Sequence, residues 1–364
     1  MSGGGIDGTG AGTGTGSLSR RRPKHVARTA PDARGGVSTS AMIASLDAEG
    51  RDTVAAPFGH ALVELARERD DVVALTADLA KYTDLHVFAE ACPDRFYQMG
   101  MAEQLMVSAA AGLAREGFVP FATTYAVFAS RRAYDFVCMA IAEESLPVKL
   151  VCALPGLTTG YGPSHQATDD LAIFRAMPNL AIVDPCDATE LAQAVPAIAA
   201  HPGPVYMRLP RGRVPDVLGG TGHRFELGRA RRLRDGADVL FVSTGLMTMR
   251  ALDASEALGA RGVDCAVLHV ATVKPLDVEA IVAEASRGSR LVVVAENHSV
   301  VGGLGEAVAA TLVRAGVATA FRQVALPDEF LDAGALPTLH EQYGLSVGAV
   351  VVRVERWIGG DESP

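Results

Sequence analysis

Between about Ser40 and Val217 short apolar runs alternate with helix-length amphipathic stretches, and no other feature of the sequence limits the fold so tightly. The runs are VVALTA (72–77), FVPFATTYAVF (118–128), PVKLVCAL (147–154), LAIVDP (180–185) and PVYMRLP (204–210). Phe58–Arg67 and Arg131–Glu143 are two of the helical stretches between them. Apolar runs separated by helices predict parallel strands with crossover helices on both faces of a sheet. Ligands in such folds gather at the carboxyl ends of the strands, here the loops after Ala77, Thr124, Leu154 and Pro210.

The passage PRGRVPDVLGGTGHRFELG (210–228) interrupts this pattern and reads as a domain boundary. Beyond it the alternation restarts with DVLFVSTG (238–245), a helix to about Gly262, VDCAVLHV (263–270), a helix after Pro275, RLVVVAEN (290–297) and a helix opening at VGGLGEAV (301–308). The expectation is two doubly wound α/β domains, residues 39–217 and 229–364, behind a tail of residues 1–38. That tail opens MSGGGIDGTGAGTGTG, carries Arg20, Arg21, Arg22 and Lys24, and has almost no bulky apolar side chains. A segment so poor in buriable surface cannot offset its ordering entropy and is expected to be disordered. Neither its glycines nor the GGLG of the second domain completes a nucleotide-binding fingerprint, and the latter reads as a closely packed helix start.

A net charge of −9 gives no electrostatic reason to expect nucleic acid or a membrane surface as partner. Cys92, Cys138, Cys152, Cys186 and Cys265 form no CxxC pair or zinc-ligand spacing, so reduced thiols are expected. No apolar run approaches the roughly 20 residues that span a bilayer. No signal-peptide core opens the chain, and the expected location is the cytoplasm.

Two stretches carry chemistry. FYQMGMAEQLMVSAAAGLA (96–114) reads as a short strand, a turn at Gly100 and a small-residue helix whose one charged residue is Glu103. An acid in a helix that looks buried all round needs neutralisation or a partner. An acid favoured by the macrodipole of the first helical turn is the plainer reading. GLTTGYGPSHQATDD (156–170) is a Gly/Thr/Ser-rich loop at a strand's carboxyl end, and it presents His165 just before a helix opened by Asp169 and Asp170. A histidine there is a candidate proton carrier.

MGMAEQ (99–104), TTYAVFASRRAYD (123–135), GPSHQ (162–166), GPVYMRLPRG (203–212) and AENHSVVGGLGEAV (295–308) together resemble, in order, the carboxyl-terminal half of transketolase over about residues 50–355. Deoxyxylulose phosphate synthase and the beta subunits of 2-oxoacid dehydrogenase decarboxylases are similar more distantly. The resemblance implies a thiamine diphosphate pyrimidine-binding domain followed by a transketolase-type C-terminal domain. It implies that Glu103 hydrogen-bonds the aminopyrimidine ring nitrogen, and that Tyr125 and Phe128 stack on that ring. Arg131 stands at the third, usually aromatic, stacking position, and Asp78 at a cofactor-proximal one. His165 is implied to face the substrate, where it holds oxyanion charge or shuttles a proton.

The substrate funnel departs from the familiar pattern. Gly160 and Tyr161 replace an acidic pair that reads the acceptor's hydroxyl, and Ala55 stands where an arginine for the sugar phosphate is expected. Arg211, with Arg208 close by, is a candidate phosphate ligand, a surface ion pair being the alternative. The family's magnesium–diphosphate motif, a GDG followed further on by an Asn, does not occur in this sequence. The resemblance therefore implies one half of a split transketolase. A separate N-terminal subunit would carry the GDG…N motif and hold Mg2+ with the diphosphate of thiamine diphosphate, in an α2β2 heterotetramer acting on sugars. The implied activity is transfer of a two-carbon ketol unit to an aldehyde. Transfer of a two-carbon or acyl unit to another acceptor, and a scaffolding subunit without catalysis, are the alternatives.

Overall fold

The computed structural model describes residues 50–360, so the expected tail and the start of the first expected domain lie outside the described residues. Eight strands lie within the first expected domain: β1 (Thr53–Ala55), β2 (Val72–Thr76), β3 (Phe96–Gln98), β4 (Val119–Tyr125), β5 (Lys149–Ala153), β6 (Ala181–Val183), β7 (Val205–Leu209) and β8 (Arg213–Pro215). Six follow: β9 (Arg231–Arg234), β10 (Val239–Ser243), β11 (Cys265–His269), β12 (Thr272–Lys274), β13 (Leu291–Ser299) and β14 (Phe321–Leu326).

The first sheet has the order β12-β6-β7-β5-β4-β2-β3, and every pair in it is parallel except β12 with β6. Strands β2, β4, β5 and β7 are buried along their whole length, which is why they read as continuous apolar runs. The second sheet, β14-β13-β10-β11-β9, is parallel but for its edge strand β9. The fold is thus two α/β domains, and each sheet carries one antiparallel edge strand.

Three features differ from the simple alternation. The apolar run 118–128 is not one strand, because β4 stops at Tyr125 and a helix, Ala126–Arg131, starts at once. The helix expected over Arg131–Glu143 is therefore in pieces, Ala126–Arg131, Tyr134–Phe136 and a π-helical turn Val137–Ala142. Second, β12 lies in the second half of the chain yet pairs with β6 of the first sheet, Thr272 opposite Val183. Third, β1 and β8 make a separate antiparallel ribbon that sets Ala55 opposite Arg213.

A buried ionic network also ties the two domains. Arg208, at the end of β7, forks onto Asp170, with Nε 2.9 Å from Oδ2, and reaches Asp184 and the carbonyl of Asn297 at 3.3 Å each. Burial opposes the charge on Asp170, but the Arg208 guanidinium outweighs it and holds the carboxyl below the usual carboxylate range. Asp184 accepts from Thr244 Oγ1 of the second domain at 3.2 Å.

Candidate functional site

The carboxyl ends of β2, β3, β4 and β5 point to one side of the first sheet, and the residues singled out in the sequence meet there. The helix Glu103–Arg115 begins with Glu103 itself, which is 3% exposed. Gly100 makes the preceding turn at φ 74°, a conformation that side chains disfavour. Gln98 fixes that turn from the end of β3: its Oε1 accepts from the amides of Asp78 at 2.9 Å and Gly100 at 3.1 Å. Its Nε2 donates to Asp78 Oδ1 at 3.2 Å, so Asp78 is paired and sits beside the entry to the Glu103 helix. The helix is not buried all round as its composition suggests, for Leu105 is exposed.

Because the chain passes from β4 into a helix without a loop, Tyr125 and Phe128 lie on adjacent turns with ring centroids 5.6 Å apart. His165 faces both, at 6.1 Å from Tyr125 and 5.6 Å from Phe128, and Tyr161 packs against the imidazole at 5.6 Å. Burial and the nearby Arg132 cation both push the His165 pKa below its ordinary value, which favours the neutral ring. Ser164 Oγ is 2.9 Å from its Nδ1.

Arg131 does not take a stacking role. Its guanidinium pairs with Asp169 at 2.9 and 3.0 Å and donates to the carbonyls of Pro163 and Gln166, so it clasps the loop that carries His165. Arg132, which the sequence motif passed over, is the residue on the platform: it donates to Glu103 at 3.3 Å and lies 4.0 Å over the Phe128 ring. Only its geometry reveals it, since its neighbour occupies the motif position.

Arg208 is buried and fully engaged with Asp170, Asp184 and Asn297, and this removes it as a phosphate ligand. Arg211 differs. Its charge bears on Tyr125 and Asp84, its Nε has no hydrogen-bond partner among the described residues, and it lines a small cavity with Thr158, Asp184 and Arg208. The site therefore offers a buried carboxyl, two aromatic faces, an imidazole and a cation at the rim. These suit a planar, nitrogen-containing ring and an anionic or hydroxylated substrate.

The family model "Transketolase, pyrimidine binding domain" matches residues 52–216, and "Transketolase, C-terminal domain" matches residues 228–350. The transketolase family protein y4mN of Sinorhizobium fredii is 66% identical over 338 residues, covering 93% of this chain and 97% of that protein. The "6-deoxy-6-sulfo-D-fructose transketolase subunit SqwH" of a Clostridium species is 40% identical over 291 residues, 80% of this chain and 89% of the other. Among solved structures, the "Split gene transketolase, inactive beta4 tetramer" superposes with a TM-score of 0.76 at 40% identity, over 83% of this chain and 96% of that one.

Proposed function

The chain belongs to the transketolase family, and we propose that it is the C-terminal subunit of a split thiamine diphosphate-dependent transketolase that moves a two-carbon ketol unit from a ketose to an aldehyde. The observation that carries this reading is the meeting of buried Glu103 with the Tyr125–Phe128 pair and His165 at one sheet edge. A subunit that only completed an assembly has no use for that constellation.

The residues fit the cofactor's pyrimidine. Tyr125 and Phe128 would hold the ring by stacking, and the buried Glu103 carboxyl would hydrogen-bond the ring nitrogen. Thiamine diphosphate, when bound, supplies the nucleophilic carbon that takes up and releases the two-carbon unit. His165 sits where its imidazole can hand a proton to, or take one from, a sugar oxygen, and its neutral form at physiological pH suits the acceptor part of that exchange. Arg211 faces the anionic end of a substrate. The diphosphate and its Mg2+ belong, in this reading, to a separate N-terminal subunit in an α2β2 heterotetramer. Support for a partner comes from the 40% identical split-gene relative, described as an inactive tetramer of beta chains. Exposed Tyr97, Met101, Leu105, Phe136 and Met139 on the elements flanking Glu103 give a partner apolar surface to cover. Among the described residues no helix is long and apolar enough to cross a membrane.

The test is hydrogen–deuterium exchange at the thiazolium C2 in the complex with the N-terminal subunit. Glu103→Gln keeps the shape of the side chain and removes its proton, so exchange is expected to slow by about 10² or more. A rate within about threefold of the parent returns Glu103 to the role of a helix-start acid.

A further inference from the structure

The loop that carries Tyr161 and His165 belongs to the first domain, yet much of its support comes from the second. Leu157 donates its amide to Asn297 Oδ1 at 2.8 Å, and its carbonyl accepts from His340 Nε2 at 2.6 Å. Its side chain is fully buried in the apolar core of the second domain. Gly160 accepts from the Gly334 amide at 2.9 Å, and Gln166 Nε2 donates to the carbonyl of Asp332 at 3.1 Å. Gly156 has φ 59° and lies so close to Asn297 that a Cβ there would sit 2.2 Å from its carbonyl oxygen.

The donor state of His340 is itself enforced. Arg250 Nη2 is 2.8 Å from His340 Nδ1, and Arg250 Nη1 donates to the carbonyl of Leu345 at 2.8 Å. A guanidinium only donates, so Nδ1 accepts and Nε2 keeps the proton that it gives to Leu157. Burial and the Arg250 charge hold the ring neutral, with the pKa pushed down to about 3.

We propose that Asn297 and His340, by holding the amide and the carbonyl of Leu157, set the position of the Tyr161–His165 loop and make the second domain a positioning element for acceptor choice. This rests on the ketol-transfer reading for its functional consequence, but not for its first test. In the isolated full-length chain, hydrogen exchange of peptides spanning 157–167 is compared for the parent, His340→Leu, His340→Gln and Asn297→Ala. Glutamine offers a donor to Leu157 and an acceptor to Arg250, so H340Q is the conservative rescue. H340L and N297A are expected to speed exchange in the loop at least about tenfold, the factor that one lost hydrogen bond allows, with β2 and β4 unchanged. H340Q should return to within about threefold. Loop exchange within twofold of the parent in both H340L and N297A overturns the proposal, as does acceleration spread equally over the second domain. If H340L does not fold, N297A and H340Q decide the matter alone.

In the complex with the N-terminal subunit, H340L should raise KM for an aldehyde such as glycolaldehyde several-fold, with C2 exchange unchanged. Equal losses in C2 exchange and acceptor turnover would overturn the positioning role. Absence of any ketol transfer in the parent would sink the functional reading instead, and would leave the loop result standing.

Discussion

Arg132 donates to Glu103 at 3.3 Å while its guanidinium covers the Phe128 ring at 4.0 Å, so one cation bridges the acid and the platform of the candidate site. Its side chain is 53% exposed and has solvent to swing into. A planar ring stacking on that face of Phe128 must displace the guanidinium. Arg132→Ala is therefore expected to tighten thiamine diphosphate binding to the complex by roughly two- to fivefold, the range of an exposed cation–π contact of about 0.5–1 kcal/mol. Calorimetric titration checks it. Weaker binding would mean that Arg132 holds the cofactor instead of competing with it.

Arg208 and Arg211 are three residues apart and separate cleanly by experiment. Asp170→Ala leaves the buried Arg208 guanidinium with Asp184 as its one carboxylate partner beside the Asn297 carbonyl, and breaking a buried pair costs about 3–5 kcal/mol. The melting temperature should fall by about 5 °C or more. Arg211→Ala breaks no ion pair among the described residues and should shift melting by no more than about 2 °C. Equal destabilisation would show that Arg211 too is spent on the fold.

Much of this was legible in the sequence because parallel strands buried on both faces leave uninterrupted apolar runs: β2, β5, β7 and β10 fall inside the runs that predict them. The motifs that single out Glu103, Tyr125, Phe128 and His165 pick side chains that the fold brings to one end of the first sheet. Arg131 was misread because a motif gives positions along the chain, whereas its salt bridge to Asp169 joins residues that only the fold brings together. Arg208 was misread for the same reason. A strand-end arginine looks available until Asp170 and Asp184 are placed around it. The hold of Asn297 and His340 on Leu157 spans 140 and 183 residues, beyond the reach of any local pattern.

A third expectation concerns pH. Glu190 lies under both domains, accepting from His269 Nε2 at 2.7 Å and from His223 Nε2 at 3.0 Å. Thr248 Oγ1 donates to Ser243 Oγ and so accepts at 2.7 Å from His269 Nδ1, which leaves both ring nitrogens of His269 as donors. Burial opposes that cation, but the Glu190 carboxylate outweighs it and raises the His269 pKa above 6.5. A raised histidine contributes stability that is fully present below its unfolded pKa and is lost as pH rises through the folded one. Burial likewise opposes the charge on Glu190, and the two histidines outweigh it, so its pKa lies below 4.5 and its contribution fades as pH falls under that value. The melting temperature should therefore decline on the alkaline side, and His269→Asn should flatten that decline. Thermal scans from about pH 5 to 9 read both slopes; parallel curves for parent and variant would refute the assignment of charge to His269.

The last expectation is acceptor selectivity, where the chain departs most from the transketolases it resembles. Tyr161 presents a half-exposed ring packed on His165 at 5.6 Å, and in the ketol-transfer reading proposed above it stands in the place of an acid that would hydrogen-bond the hydroxyl next to the aldehyde. A neutral contact discriminates configuration less than a charge-assisted one, which contributes about 1.5–3 kcal/mol, or roughly ten- to a hundredfold. With Ala55 on the β1–β8 ribbon, dependence on a substrate phosphate should also be weak, unless Arg213, its partner in register, takes over. Aldehydes epimeric at the neighbouring hydroxyl, with and without a phosphate, are compared by kcat/KM in the complex. The parent should distinguish the epimers by less than about tenfold, and Tyr161→Asp should widen the ratio by about tenfold or more. The Tyr161→Asp ratio is decisive because the hydroxyl is read at this loop or nowhere near it. If the parent already discriminates about a hundredfold and the substitution leaves that unchanged, the hydroxyl is read by residues outside the Tyr161–His165 loop.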